Sequence, residues 1–214
     1  MNKQMTRQDQ NNLKHQLCET TRDNNSHFRD CASVKNGVRA LHKVLKYIDR
    51  RKTTIVRNGF GKWWLGNLVT KLGGKWEDYC CRGEITGYSF DGDVLEITQM
   101  TAWCEQEGVR RIIQEKFPSI KVYYREEEPG CDVYYTNDTT GCYFPETFFI
   151  DNYDEPRYFE TIKETAEWVS EIVGCTVEAT VNAIQEALEK YVEQKESEGE
   201  EVFYSLHEFK VIDD

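Results

Sequence analysis

The chain lacks the apolar run of roughly 18 residues that a bilayer-spanning helix requires. Its opening, MNKQMTRQDQNNLKHQLCETT, also lacks the hydrophobic stretch of a secretory signal, so a cytoplasmic setting without a membrane partner is expected. Histidine is scarce, with four residues at 15, 27, 42 and 207. A cysteine nucleophile needs a nearby imidazole and a third group that orients it. No histidine falls in the stretch that holds Cys80, Cys81, Cys104, Cys131 and Cys142. The eight cysteines form no Cys-x-x-Cys pair, and Cys18, His27, Cys31 and His42 are too widely spaced for a zinc knuckle. Gly-x-Ser-x-Gly, phosphate-binding-loop and His-Glu-x-x-His motifs are all missing. These absences point to a protein that is not an enzyme and carries neither metal nor cofactor, with free thiols of which several pack as small apolar groups.

Basic residues are lacking over most of the chain. Residues 1–75 carry 16 Lys/Arg against 5 Asp/Glu, whereas residues 76–150 carry 6 against 15 and residues 151–214 carry 5 against 18. The formal net charge of −11 therefore hides a basic front and a long acidic remainder of net −22. Such a chain can offer a basic face to nucleic acid or an acidic face to a basic protein groove.

What is present is mainly pattern. Residues 1–33 read as a polar arm or a marginal helix. Val34, Val38, Leu41, Leu45 and Ile48 recur at helical spacing, with cations on the other faces, so 1–52 reads as an arm followed by a basic amphipathic helix. TTIVRNG reads as a short strand. Trp64, Leu65, Leu68, Val69 and Leu72 mark a helix stopped at Gly73-Gly74. Two β-like runs flank Asp91-Gly92, a hairpin signal. Val109, Ile112, Ile113 and Phe117 mark a helix closed by Pro118, and three β-like runs follow: IKVYYREEE, CDVYYTND and CYFPETFFI. Residues 53–150 thus read βαββαβ with extra strands at the end. This is the order of a ferredoxin-like split βαβ fold, an antiparallel sheet with helices on one face, in the α+β class. Residues 151–214 read as an acidic βααβ module. Thr161 and Glu164 form a capping box there, Thr176 is placed to cap a second helix, and VFYSLHEFKVI is a closing strand.

Two groups of side chains are candidates for contact. Lys35, Arg39, Lys43, Lys46, Arg50, Arg51 and Lys52 could hold phosphates. Glu126, Glu127 and Glu128, with Glu186, Glu189 and Glu193, could stand in for phosphates before a basic protein. The paired tyrosines of the later strands, such as Tyr134 and Tyr135, alternate in direction, so one of each pair belongs to a core.

Gly73–Trp76, Thr101–Trp103, Phe117-Pro118 and Tyr123–Gly130 occur in an order that resembles the YubB-like proteins of plasmids, conjugative elements and phages. The likeness covers roughly residues 60–150. It departs after Trp103, where Cys104-Glu-Gln stands in place of Ser-Pro-Pro. The resemblance implies a ferredoxin-like fold and a mobile-element context, and makes Trp76, Trp103 and Phe117 packing residues. In that context the acidic remainder suits an inhibitor that blocks a nucleic-acid-binding host defence protein by DNA mimicry, as anti-CRISPR and antirestriction proteins do. The alternative is a nucleic-acid-binding accessory protein that uses the basic segment 34–75.

Overall fold

The computed structural model describes residues 25–152 and 155–213, with side chains from residue 34 onward. The candidate ligand Cys18 and most of the polar arm lie outside the described residues, as do the side chains of His27 and Cys31. The architecture is mixed α+β, with three small and mostly antiparallel sheets. Among the described residues no helix is long and apolar enough to cross a membrane.

The first core forms around helix α1, Asn25–Arg50, and helix α2, Leu65–Leu72. The apolar stripe of α1 is buried as its spacing predicts: Leu41, Leu45 and Ile48 pack with Leu65, Leu68, Val69 and Leu72 of α2. Gly73 ends α2 in the left-handed conformation at φ 95°, where a side chain would be strained. Strands β1, Gly83–Phe90, and β2, Leu95–Thr101, form the hairpin around Asp91-Gly92. Leu95 and Ile97 turn toward the core while Glu96 and Thr98 face outward. A bulge between Ile85 and Gly87 shifts the register. Helix α3, Glu107–Lys116, adds Val109, Ile112 and Ile113 to the same core.

TTIVRNG does not form a strand. Asn67 of α2, only 1% exposed, captures its backbone instead. The Asn67 Oδ1 accepts from the Ile55 and Val56 N–H groups at 3.1 and 2.8 Å. Its Nδ2 donates to the Gly61 and Lys62 carbonyls at 3.0 and 3.2 Å. With those groups satisfied by a side chain, no ladder partner is needed.

Strands β3, Arg125–Glu128, and β4, Val133–Thr136, pair antiparallel, and β5, Phe148–Asp151, lies in a different sheet. The start of the IKVYYREEE run stays outside β3 because Asn137 substitutes for a strand. Its Oδ1 accepts from the Tyr124 N–H at 2.8 Å and its Nδ2 donates to the Val122 carbonyl at 3.1 Å. Three small sheets thus stand where one continuous sheet was expected.

The acidic segment supplies β6, Arg157–Phe159, helices α4, Ile162–Val173, and α5, Val181–Ser197, and β7, Ser205–Glu208. Strands β6 and β7 do not pair with each other. Both pair with β5, which is the middle strand. Phe148, Ile150, Ala166, Val169, Ile184, Leu188 and Leu206 form this second core. The expected boundary at residue 150 falls inside β5, and the one at residue 52 divides contributors to the first core. Thr161 caps α4 by accepting from the Glu164 N–H at 3.2 Å, but the Glu164 carboxylate accepts from Glu160 rather than from Thr161. The cap of α5 is Thr180, not Thr176. The expected closing strand breaks at Phe209, and its second part, β8, Lys210–Val211, pairs parallel with β4. Phe209, Tyr134 and the outer face of β5 at Phe149 make a third small core between the sheets.

Trp103 departs from the packing role expected of it. Its backbone is left-handed at φ 75° and its side chain is 61% exposed. Trp76 and Phe117 do pack against the first core.

Candidate functional site

An α-helix turns 100° per residue. Lys35, Arg39, Lys43, Lys46 and Arg50 therefore fall within an arc of about 80° along roughly 22 Å of α1. The arc lies opposite the buried stripe of Val38, Leu41, Leu45 and Ile48. Between residues 34 and 50 the one carboxylate is Asp49, and it is engaged by Lys62 at 3.0 Å. Lys35 reaches Asp93 of the hairpin at 3.1 Å in a half-exposed pair. Such a surface pair contributes at most about 1 kcal/mol and yields readily to a competing anion. Arg39, Lys43, Lys46 and Arg50 are exposed, as is Lys52 beyond the helix.

Arg51 stands apart from this arc. Its guanidinium donates to the Tyr47 hydroxyl at 2.8 Å and to the Thr53 carbonyl at 3.1 Å. Lys43, Lys46, Tyr47, Arg50 and Arg51 share one open surface patch at the end of α1. Lys71 of α2 places its ammonium 3.9 Å from the centroid of the Tyr47 ring. Tyr47 and Lys71 were missed in the sequence. The available signal was an aromatic set four residues after Lys43 and four before Arg51, on the rim of the cationic arc.

His42 lies beside this face but packs inward, its ring 4.2 Å from Phe90 and 5.9 Å from Tyr88. Burial, helped by the neighbouring Lys46, lowers its pKa and favours the neutral ring. Among the described residues no cluster of three or more His, Cys, Asp or Glu could hold a metal ion. Among the described cysteines only Cys81 is buried, while Cys80, Cys104, Cys131, Cys142 and Cys175 are exposed, so the packing expected of several thiols holds for one. Burial, with Cys80 adding to it, pushes the Cys81 thiol up to about 11.

The six candidate glutamates divide. Glu126, Glu127 and Glu128 lie together on β3 and are used within the fold. Glu126 accepts from the Glu105 N–H at 2.6 Å, and Glu128 accepts from the Gly130 N–H at 3.3 Å. Glu127 pairs with Arg125 at 3.2 Å and accepts from the Tyr158 hydroxyl at 2.8 Å. Glu186, Glu189 and Glu193 form an exposed line on one face of α5, with Lys190 3.8 Å from Glu186. The two groups sit on different elements.

A polar and aromatic cluster surrounds Arg125. Its guanidinium pairs with Glu146 at 3.0 Å and covers the rings of Tyr158, Phe209 and Phe144 at 4.8, 5.1 and 5.4 Å. His207 stacks on Tyr134 at 4.2 Å and its Nδ1 lies 3.2 Å from Asp132. Burial, followed by the charges of Asp151 and Asp132, pushes the Tyr134 phenol up to about 12. Burial and the hydrogen bond to Glu127 raise that of Tyr158 as well. Both phenols are thereby kept protonated, which suits packing between sheets better than proton transfer near neutrality.

Comparisons with family models, curated proteins and solved structures found no match to this chain.

Proposed function

We propose that this protein is a non-enzymatic nucleic-acid-binding protein whose contact surface is the cationic face of α1. The observation that carries this reading is the row of cations on one arc, opposed by no free carboxylate of the same helix segment. Phosphates bind such a row through charge and counterion release, without a pocket. The net charge of −11 opposes nucleic acid at low salt. At 0.1 M salt, exposed charges farther than about 10 Å are largely screened, so the local row decides the outcome.

The test is fluorescence anisotropy with labelled oligonucleotides across a salt series. Arg39, Lys43, Lys46 and Arg50 neutralising four phosphates give a log–log salt slope of about −3 for a single strand. Affinity then drops about 50-fold between 50 and 200 mM salt. The triple variant Lys43→Glu, Lys46→Glu, Arg50→Glu abolishes binding. Salt-insensitive binding, or none at the lowest salt, refutes the reading.

The acidic line Glu186, Glu189 and Glu193 on α5 favours a second reading, an inhibitor that occupies the basic groove of a nucleic-acid-binding host defence protein. Its support is reduced by the internal use of Glu126, Glu127 and Glu128. If exchanging the three α5 glutamates for lysine leaves inhibition of such a host activity intact, this second reading fails.

The YubB-like kinship and mobile-element context are proposed alongside. Their support is the ordered motif set and a hairpin, β1–β2, that packs with helices α2 and α3 in one core, as half of a ferredoxin-like sandwich would.

A further inference from the structure

We infer that the ring of Tyr47 is a stacking platform for a nucleobase, and that the nucleic acid held by α1 is single-stranded. The inference rests on the nucleic-acid reading above and narrows its substrate class. Tyr47 is 42% exposed in the same turn in which Ile48 is 2% exposed. It stands on the open patch with Lys43, Lys46, Arg50 and Arg51, beside the cationic arc rather than inside a core. Its position is fixed before any ligand arrives. Arg51 holds the hydroxyl at 2.8 Å, is itself anchored on the Thr53 carbonyl and lies 5.5 Å from the ring centroid, while the exposed Lys71 covers the ring at 3.9 Å and is the cation an incoming base displaces. A ring held in this way loses little freedom when a base stacks on it.

Lys71 of α2 places a further cation over the same ring, so charge and an aromatic face converge from two elements. This pairing of a basic track with an aromatic platform is the combination that binds single strands, because every base offers a π-face. In a duplex those faces are covered by neighbouring bases. Phosphates on the arc are available to both forms, whereas the Tyr47 ring can serve only an unstacked base.

The experiment measures anisotropy with three labelled probes of equal length: an oligothymidylate, its abasic counterpart with the same phosphates, and a duplex. The protein binds the oligothymidylate roughly ten-fold more tightly than the abasic strand. Tyr47→Leu brings oligothymidylate binding down to the abasic level, while Tyr47→Phe retains the difference. Equal binding of the two single strands by the unaltered protein overturns the stacking inference and leaves the charge-based reading standing. Loss of all three probes overturns both. Should Tyr47→Leu perturb the fold, photo-crosslinking of the unaltered protein to an oligomer carrying 5-iodouracil decides. Attachment at Tyr47 supports the platform, and attachment only elsewhere refutes it.

Discussion

Replacing Asn67 by Ala removes the side chain that holds residues 55–62 against α2, and the cost follows from its partners. Two backbone N–H groups, at Ile55 and Val56, lose their acceptor, and two carbonyls, at Gly61 and Lys62, lose a donor. Ile55 and Val56 are partly buried, so each orphaned donor costs about 1–2 kcal/mol. The carbonyls lie nearer solvent and cost about 0.5 kcal/mol each once water replaces the amide. The sum is about 3–5 kcal/mol, and at 4 kcal/mol the folded-to-unfolded ratio falls nearly a thousand-fold. Asn67→Asp costs at least as much. It keeps the acceptor for Ile55 and Val56, but it turns the donor into a second oxygen facing two carbonyls and buries a charge. Equilibrium urea unfolding followed by tryptophan fluorescence measures both variants, since Trp63 and Trp64 immediately precede α2. A loss below 1 kcal/mol for Asn67→Ala, with an unchanged urea slope, would show that the loop is held by other contacts and that the argument is wrong.

Asp138, 2% exposed, accepts from the Thr140 hydroxyl at 2.8 Å and from the Tyr143 and Phe144 N–H groups at 2.6 and 3.0 Å. Burial pulls its pKa upward, but these hydrogen bonds together hold it below the usual aspartate value. A lowered folded pKa adds stability that is present above the unfolded value near pH 4 and is lost as pH falls through the folded one. Asp138→Asn therefore destabilises by about 2–3 kcal/mol at pH 7, and the gap to the unaltered protein narrows below about pH 4 in urea titrations; a gap independent of pH contradicts this. Gly66→Ala lowers the melting temperature although alanine favours helices. Its Cβ would fall within the Trp64 indole, which is held by a 2.6 Å bond to the Cys81 carbonyl, and such overpacking costs about 2–3 kcal/mol. An unchanged or higher melting temperature by calorimetry would show that the indole moves freely.

Helices were the legible part of this sequence, because their signal is local. The stripe from Val38 to Ile48, the left-handed Gly73 stop and the Thr161 cap each lie within a few turns of the residues they organise. The strands were legible only as segments. Pairs of two to seven residues give little periodicity, and the choice of partner depends on residues far away in the chain. Nothing within CYFPETFFI announces that Phe148–Asp151 becomes the centre of a sheet between β6 and β7. TTIVRNG has strand composition, yet Asn67, eight residues beyond it, takes its hydrogen bonds. At the site, the cationic arc could be read from spacing alone. Tyr47 could not be assigned a role, since Lys71 reaches it from another helix. Glu126 and Glu127 read as surface residues because their partners Glu105 and Tyr158 are set by register and packing rather than by composition, whereas the Glu128 bond to Gly130 is local to the turn.

The short segment from Ser205 to Val211 closes two sheets at once, β7 on β5 and β8 on β4. During synthesis both acceptor strands emerge from the ribosome well before that segment does. Until it follows, each presents an open row of amides and carbonyls to any neighbouring polypeptide. A message truncated shortly before codon 205 would therefore yield a product with two sticky edges, prone to cross-chain pairing and to capture by quality-control proteases.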